Sequence, residues 1–287
     1  MTSIKILFFT FIISVTALNC NNIEQNSSNI FEGKDTVITS DKNAEPKISI
    51  IKPHEEANYE NILSIPLPEG FERIELDSNA FGTYLRKFPL KTENNIVFLH
   101  DGEKKCSQDI HFAVLEIDVG KRDLQQCADA VMRLRAEYLF ENKKYSDIHF
   151  NFLSDGKPRY YTQYVGNDRT HKKFRSYMNY IFSYANTASL KRELKAVDIN
   201  DIMPGDVFIQ SGNPYGHAIT VMDVAVNNNT GKKIFMISQS YMPAQDIHIL
   251  KNLNDETLSP WYNLEFEEAL NTPEWTFYKG DLKRFAE

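Results

Sequence analysis

Three side chains spread from position 127 to position 239 have the types that nucleophilic acyl chemistry requires: Cys127, His217 and Gln239. A thiol becomes a strong nucleophile when its proton is taken by a neighbouring imidazole or when a helix N-terminus stabilises the thiolate. The imidazole in turn needs a polar side chain to hold its orientation. Cys127 supplies the sulfur, His217 the base and Gln239 the orienting carboxamide. His248, nine residues beyond Gln239, is a rival for the orienting role. Each also has an ordinary reading. Cys127 suits a helix's apolar face, where a buried cysteine acts as a small hydrophobe. Gln239 on a strand satisfies its neighbours.

The elements that must position these groups follow from periodicity. In "KRDLQQCADAVMRLRAEYLFENKKY" the residues Leu124, Cys127, Ala128, Val131, Leu134, Tyr138 and Leu139 recur mostly at three and four, which predicts a helix with Asp123 as N-cap and Cys127 in its first turn or just after. "HAITVMDVAV" and "KIFMISQ" are apolar and β-branched, and they flank "NNNTG", so they predict an antiparallel hairpin. His217 opens one arm and Gln239 closes the other. Gln125 or Gln126, or the backbone N–H groups at the helix start, would stabilise an oxyanion. On the same helix, Arg133 and Glu137 are spaced as an i,i+4 pair; a guanidinium there also suits a substrate carboxylate. Tyr241 and Gln245, in "QSYMPAQDIHI", are candidates to face the cleft as a rim.

Elsewhere "IVFLHDG" and "IHFAVLEIDVG" read as a pair of strands, as do "DIHFNFLSDG" and "RYYTQYVG". "NAFGTYLRKFPL" reads as a short helix ended by Pro89, and "KKFRSYMNYIFSYANTASLKREL" as one long aromatic helix. The tail, with both tryptophans, is expected to pack across the core. Helices and strands in this order predict an α+β fold.

The N-terminus sets the compartment. Residues 1–19 hold one charge, Lys5, before the apolar run "ILFFTFIISVTAL", the pattern of a signal peptide. Thirteen such residues fall short of the ~20 that span a bilayer comfortably. Cys20 follows in "ALNC", which resembles the lipobox of bacterial lipoproteins, with Asn19 where a small residue is usual. Lipidation of Cys20 and an exported, membrane-anchored protein, periplasmic or on the cell surface, are therefore expected. Residues 20–48, rich in Asn, Ser, Lys and Glu, read as a flexible tether. Residues 49–287 are long enough for a single folded domain. If Cys20 is acylated, Cys106 and Cys127 are left, and a bridge between them would contribute about 3 kcal/mol.

Without residues 1–19 the chain carries 31 basic against 39 acidic side chains, a net charge of −8. That balance, with no basic block, argues against nucleic acid as a partner. It leaves the lipid as the means of membrane attachment. The seven histidines show no close metal-ligand spacing, and no glycine-rich phosphate loop is present, so no cofactor is expected.

"GHAITVMDVAVNNNTGKKIFMISQSY" resembles the His-strand, turn, Asn-strand segment of papain-like cysteine peptidases, and "INDIMPGDVFI" followed by "GHAITV" resembles NlpC-type cell-wall peptidases. The resemblance implies a papain-like, NlpC-related fold, with an antiparallel sheet packed against helices. It also implies a hydrolase acting on peptide or amide bonds of the cell envelope, with a cell-envelope peptide or peptidoglycan fragment as its partner. The chain departs from the NlpC pattern in one place: the segment that should carry the nucleophile, "FRSYMNYIFSYAN", has no cysteine, which leaves Cys127, with Ser176 a weaker candidate. The contrasting reading is an inactive envelope lipoprotein that binds peptide or glycan fragments in the same cleft. On a larger scale, "HFAVLEIDVGKRDLQQCADAVMRLRAEYL", "GDVFIQSG", "GHAITVMDVA", "SPWY" and "TPEW" are similar to exported bacterial proteins of domain of unknown function family 4846.

Overall fold

The computed structural model describes residues 58–212 and 214–286. The expectations for the signal peptide, for Cys20 and for the tether lie outside them. In chain order the elements are β1 (Glu72–Arg73), α1 (Phe81–Arg86), β2 (His111–Val114), α2 (Cys127–Glu141), β3 (His149–Asn151), β4 (Pro158–Tyr160) and α3 (Tyr161–Val165). They continue with α4 (His171–Phe182), α5 (Thr187–Glu193), β5 (Lys195–Ala196), β6 (Val207–Gln210), β7 (His217–Val226) and β8 (Lys233–Gln239). The last are β9 (His248–Leu250), β10 (Trp261–Asn263), β11 (Ala269–Asn271), β12 (Thr276–Tyr278) and β13 (Leu282–Arg284). The fold is α+β. The main sheet runs β2-β9-β8-β7-β6-β13-β5, with β1 added to β7 and β10 to β8. These strands pair antiparallel.

Both faces of this sheet are covered, which is why β7 and β8 read as continuous apolar runs rather than alternating ones. On one face Ile209, Ala218, Met222, Met236 and Ile249 pack with the helices. On the other, Phe208, Ile219, Val221, Phe235 and Ile237 pack under Tyr262, Leu270, Phe277 and Leu282 from the C-terminal segment, so the tail does cross the core. The β7–β8 ladder shifts register between Val221 and Asp223. Beyond this bulge the alternation changes phase, with Val224 on the tail side and Ala225 on the helix side. Asp223 itself is fully buried and takes Arg73 Nε and Arg86 Nε at 2.6 Å each. The turn between the two strands ends at Gly231, whose φ of +73° is costly for other residues.

Helix α2 is sunk in the molecule, with Val131, Met132, Leu134, Ala136 and Tyr138 all buried. A helix buried all round must pair whatever charge it carries, and Arg133 and Glu137 do so at 2.6 Å. Several local expectations give way to tertiary packing. The N-cap is Gln126, not Asp123, so Cys127 is the first helical residue. "IVFLHDG" makes only isolated bridges and does not pair with β2, whose partner is the distant β9. "RYYTQYVG" is strand only to Tyr160 and then turns into α3, which buries Tyr161 and Val165. The long aromatic helix is two, because the Asn186 side chain accepts the N–H groups of Ala188 and Ser189 and starts α5 afresh. Among the described residues no helix is long and apolar enough to cross a membrane.

Candidate active site

His217 opens β7 directly after Gly216, and the glycine is there for want of space. A Cβ on it would lie 2.2 Å from the Gln210 carbonyl oxygen and 3.0 Å from Thr187 Cγ2. Thr220 pairs with Ser238, which places Gln239 across from Ile219 and diagonal to His217 on the tail-side face. The two side chains meet there, His217 Nε2 to Gln239 Oε1 at 3.0 Å.

The protons in this contact can be assigned from the partners. His248 Nδ1 lies 2.9 Å from the carbonyl oxygen of Asp246, which only accepts, so Nδ1 carries the hydrogen and Nε2 is bare. Gln239 Nε2 donates to that bare nitrogen at 3.4 Å, and also to Glu274 Oε2. With both amide hydrogens committed, Gln239 turns its oxygen to His217, which donates from Nε2. The remaining nitrogen, Nδ1, is an unprotonated base with no hydrogen-bond partner among the described residues. His248 is thus a further support of Gln239 rather than its substitute.

Aromatic rings enclose the imidazole. Tyr241, Trp275 and Phe277 have centroids 4.9, 5.3 and 5.8 Å away. This burial pushes the His217 pKa down to about 4, against the upward pull of the Gln239 bond, with the Lys105 charge adding to the fall. The same cause takes His248 to about 3. Both rings are neutral at pH 7.

Glu274 and Lys105 complete the chain. Lys105 Nζ contacts the two Glu274 oxygens at 2.7 and 2.8 Å and lies 5.5 Å from the centre of the Tyr241 ring. Burial lowers the Lys105 pKa, and Glu274 opposes that. Sequence reasoning missed both residues. The one available signal was the acid beside Trp275 in "TPEW", in a tail already expected to cross the core.

Cys127 stands at the head of α2. The cap is reciprocal in part: Asp129 Oδ2 accepts the Gln126 N–H at 3.2 Å, while the Gln126 carboxamide donates to Asp123 at 2.9 Å. The sulfur lies 3.8 Å from Thr187 Oγ1 and 3.8 Å from the Gly216 carbonyl oxygen. Thiol and imidazole therefore flank one stretch of backbone, residues 216–218. Among the described residues no hydrogen bond joins them. Burial, then the Asp129 charge, pushes the thiol pKa up, and Thr187 and the backbone N–H groups of Ala128 and Ala218 pull it back. Cys127 is a free thiol, so the bridge to Cys106 does not form.

A depression of about 220 Å³ opens at the thiol, lined by Cys127, Gln126, Asp129, Thr187 and Gly216 among others, but not by His217. Two roomier clefts, about 870 and 720 Å³, hold no cysteine, serine or histidine.

The other candidates divide. Tyr241 is half-buried against His217, as a rim residue would be. Gln126 lines the depression. Arg133 is not available to a ligand: only 1% exposed, it is consumed by Glu137 at 2.6 Å, Gln125 at 2.9 Å and Asp118 at 3.4 Å. Gln245 is no rim residue either, being buried with its Nε2 on the Pro243 carbonyl at 3.1 Å. Ser176 is exposed on α4 and bonds back to the Lys172 carbonyl at 3.1 Å, with no imidazole on its hydroxyl. Among the described residues no group of three or more His, Cys, Asp or Glu is placed to hold a metal ion.

No curated protein and no solved structure matches the chain. The family model described as domain of unknown function (4846) matches residues 63–169 and 155–284, which together take in the whole sheet and every residue of the site. The chain therefore belongs to domain of unknown function family 4846.

Proposed function

We propose that this domain is a cysteine hydrolase, a peptidase or amidase acting on peptide or amide bonds of the cell envelope. The observation that carries the reading is the Asp246, His248, Gln239, His217 order, which leaves a bare imidazole nitrogen on a ring held at 3.0 Å by Gln239. An unprotonated ring nitrogen is what a general base requires. Cys127, on the other side of the same backbone, has the helix N-terminus that favours a developing thiolate.

With the thiol raised and the imidazole lowered, the resting pair is neutral, so the proton moves as the sulfur attacks. The Sγ–carbon bond forms while His217 Nδ1 takes the thiol proton, a transfer that requires substrate binding to bring sulfur and ring into contact across the 216–218 backbone. It returns that proton to the departing nitrogen as the carbon–nitrogen bond breaks. Water then attacks the thioester, again giving a proton to His217, and the acid is released with the thiol restored. The backbone N–H groups at the start of α2 are the nearest oxyanion donors, with the Gln126 carboxamide beside them. Gln125 has its oxygen on Arg133 and its buried Nε2 without a partner among the described residues.

A cysteine at a helix head against a histidine at a strand head, on an antiparallel sheet, supports a papain-like, NlpC-related fold and a peptidoglycan fragment as substrate. Export and a lipid anchor on Cys20 complete the proposal. They rest on the sequence, and metabolic labelling with a radioactive fatty acid tests them: Cys20→Ser should abolish incorporation, and incorporation retained in that variant would refute the anchor.

The missing thiol–imidazole hydrogen bond favours a second reading, an inactive module that binds peptide or glycan fragments in the same place. Iodoacetamide labelling of the reduced mature domain separates the two. In the hydrolase, neutral-pH labelling of Cys127 falls about tenfold or more in His217→Ala. Equal, slow labelling in both proteins would sink the hydrolase and leave the binding module.

A further inference from the structure

The depression beside Cys127 holds a second group that the reaction leaves unused. Asp129 lies two residues along α2, is 8% exposed and lines the same depression. Its Oδ2 accepts the Gln126 N–H at 3.2 Å. Its Oδ1 is buried with no hydrogen-bond partner among the described residues.

Among the described residues no cation answers it. The lining of the depression contains no lysine, arginine or histidine. Arg133, one turn away on the helix, is consumed by Glu137, Gln125 and Asp118. Burial accordingly holds the Asp129 carboxyl well above the usual carboxylate range, even though the Gln126 and Asp129 backbone N–H groups pull it down. Capping needs one carboxylate oxygen; it does not account for the second, left without a partner among the described residues in the wall of the depression.

We propose that Asp129 is a specificity-determining residue that receives a primary ammonium group, so that the substrate carries a free amine close to the carbonyl presented to Cys127. An ammonium supplies what the site lacks: a donor to Oδ1 and a positive charge that restores the carboxylate. A volume of about 220 Å³ has room for one small residue, with its amine on Asp129 and its carbonyl on the thiol. Amino-terminal residues and short amine-bearing side chains meet this description; N-acylated ones do not. This specificity rests on the reading of Cys127 as the nucleophile.

Three probes of one shape test it by NMR on the reduced mature domain: L-alaninol, which bears an ammonium; 1,2-propanediol, in which a hydroxyl replaces it; and lactate, an anion. L-alaninol is expected to shift the Cys127, Asp129 and Thr187 amides saturably and to bind about tenfold tighter than the diol. In Asp129→Asn, which keeps a capping oxygen, the preference should shrink to within about twofold. No saturable shift with L-alaninol, equal binding of the diol, or a preference that survives in Asp129→Asn overturns the proposal. The comparison within the wild-type protein stands even if the variant folds poorly. Labelling in His217→Ala decides catalysis separately. Ammonium preference without His217-dependent labelling retires the hydrolase alone, and the reverse retires the amine specificity alone.

Discussion

A glutamine at position 217 keeps a hydrogen-bonding side chain beside Gln239 but removes the group that titrates, and the consequence for stability can be worked out. The folded pKa of His217 is about 4 against an ordinary 6.5. Its folded value is the lower one, so below pH 6.5 the unfolded chain binds a proton that the folded chain refuses. The stability contributed by the neutral ring is therefore full above the unfolded value and is lost as the pH falls toward about 4. At about pH 4.5 the loss integrates to roughly 2.5 kcal/mol, taking about 1.4 kcal/mol per unit and allowing for partial titration of the folded ring.

His248, shifted the same way, and Asp129, Glu193 and Asp206, whose carboxyls burial shifts upward, titrate in both proteins and largely cancel in the difference. Whatever His217→Gln costs at about pH 7.5 should thus shrink by roughly 2.5 kcal/mol at about pH 4.5. Urea unfolding at four pH values measures it, with Trp275 fluorescence as a probe that touches the ring. A difference that stays constant across the range refutes a buried neutral imidazole, and with it the assignment of a bare Nδ1.

Three further outcomes follow from the same packing. Glu274→Gln leaves the Lys105 ammonium buried without its counter-ion, contacts of 2.7 and 2.8 Å being reduced to one neutral acceptor, and should cost about 3–5 kcal/mol in urea unfolding. Lys105→Met should recover most of that loss, and simple additivity of the two changes would count against the pair. Gly216→Ala drives a Cβ to 2.2 Å from the Gln210 oxygen, so a loss of about 1–3 kcal/mol and altered Cys127 labelling are expected; an unchanged melting temperature would show that the close approach is wrong. Asp223→Ala strands two guanidinium groups and should destabilise by about 3–5 kcal/mol in urea unfolding, whereas a loss under about 1 kcal/mol would mean that Arg73 and Arg86 find water instead.

What could be read from the sequence was mostly local. The β7–β8 hairpin was legible because an asparagine-rich turn with one glycine interrupts two β-branched runs, and the same register put His217 and Gln239 on one face. The body of α2 followed from its apolar spacing. Its start did not, because Asp123, the better capping residue by type, instead accepts from Gln126 and from the Ala244 N–H at 2.7 Å. The break between α4 and α5 was written in "NTAS", a capping pair of Asn186 and Ser189 that aromatic periodicity on either side concealed. Long-range choices were not legible. Local runs give no sign that β2 should pass over its neighbour for β9, nor that a lysine at 105 and a glutamate at 274 should meet over the ends of β7 and β8.

The bulge in β7 gives one ten-residue strand two independent reading frames. Upstream of it, the frame sets His217 under the tail; downstream, it decides what lies beside the Asp223 ion cluster. In an uninterrupted strand a one-residue slip would invert both ends together. Here the phase break uncouples them, so residues near the Asn227–Gly231 turn can be gained or lost without turning the imidazole to the wrong side of the sheet.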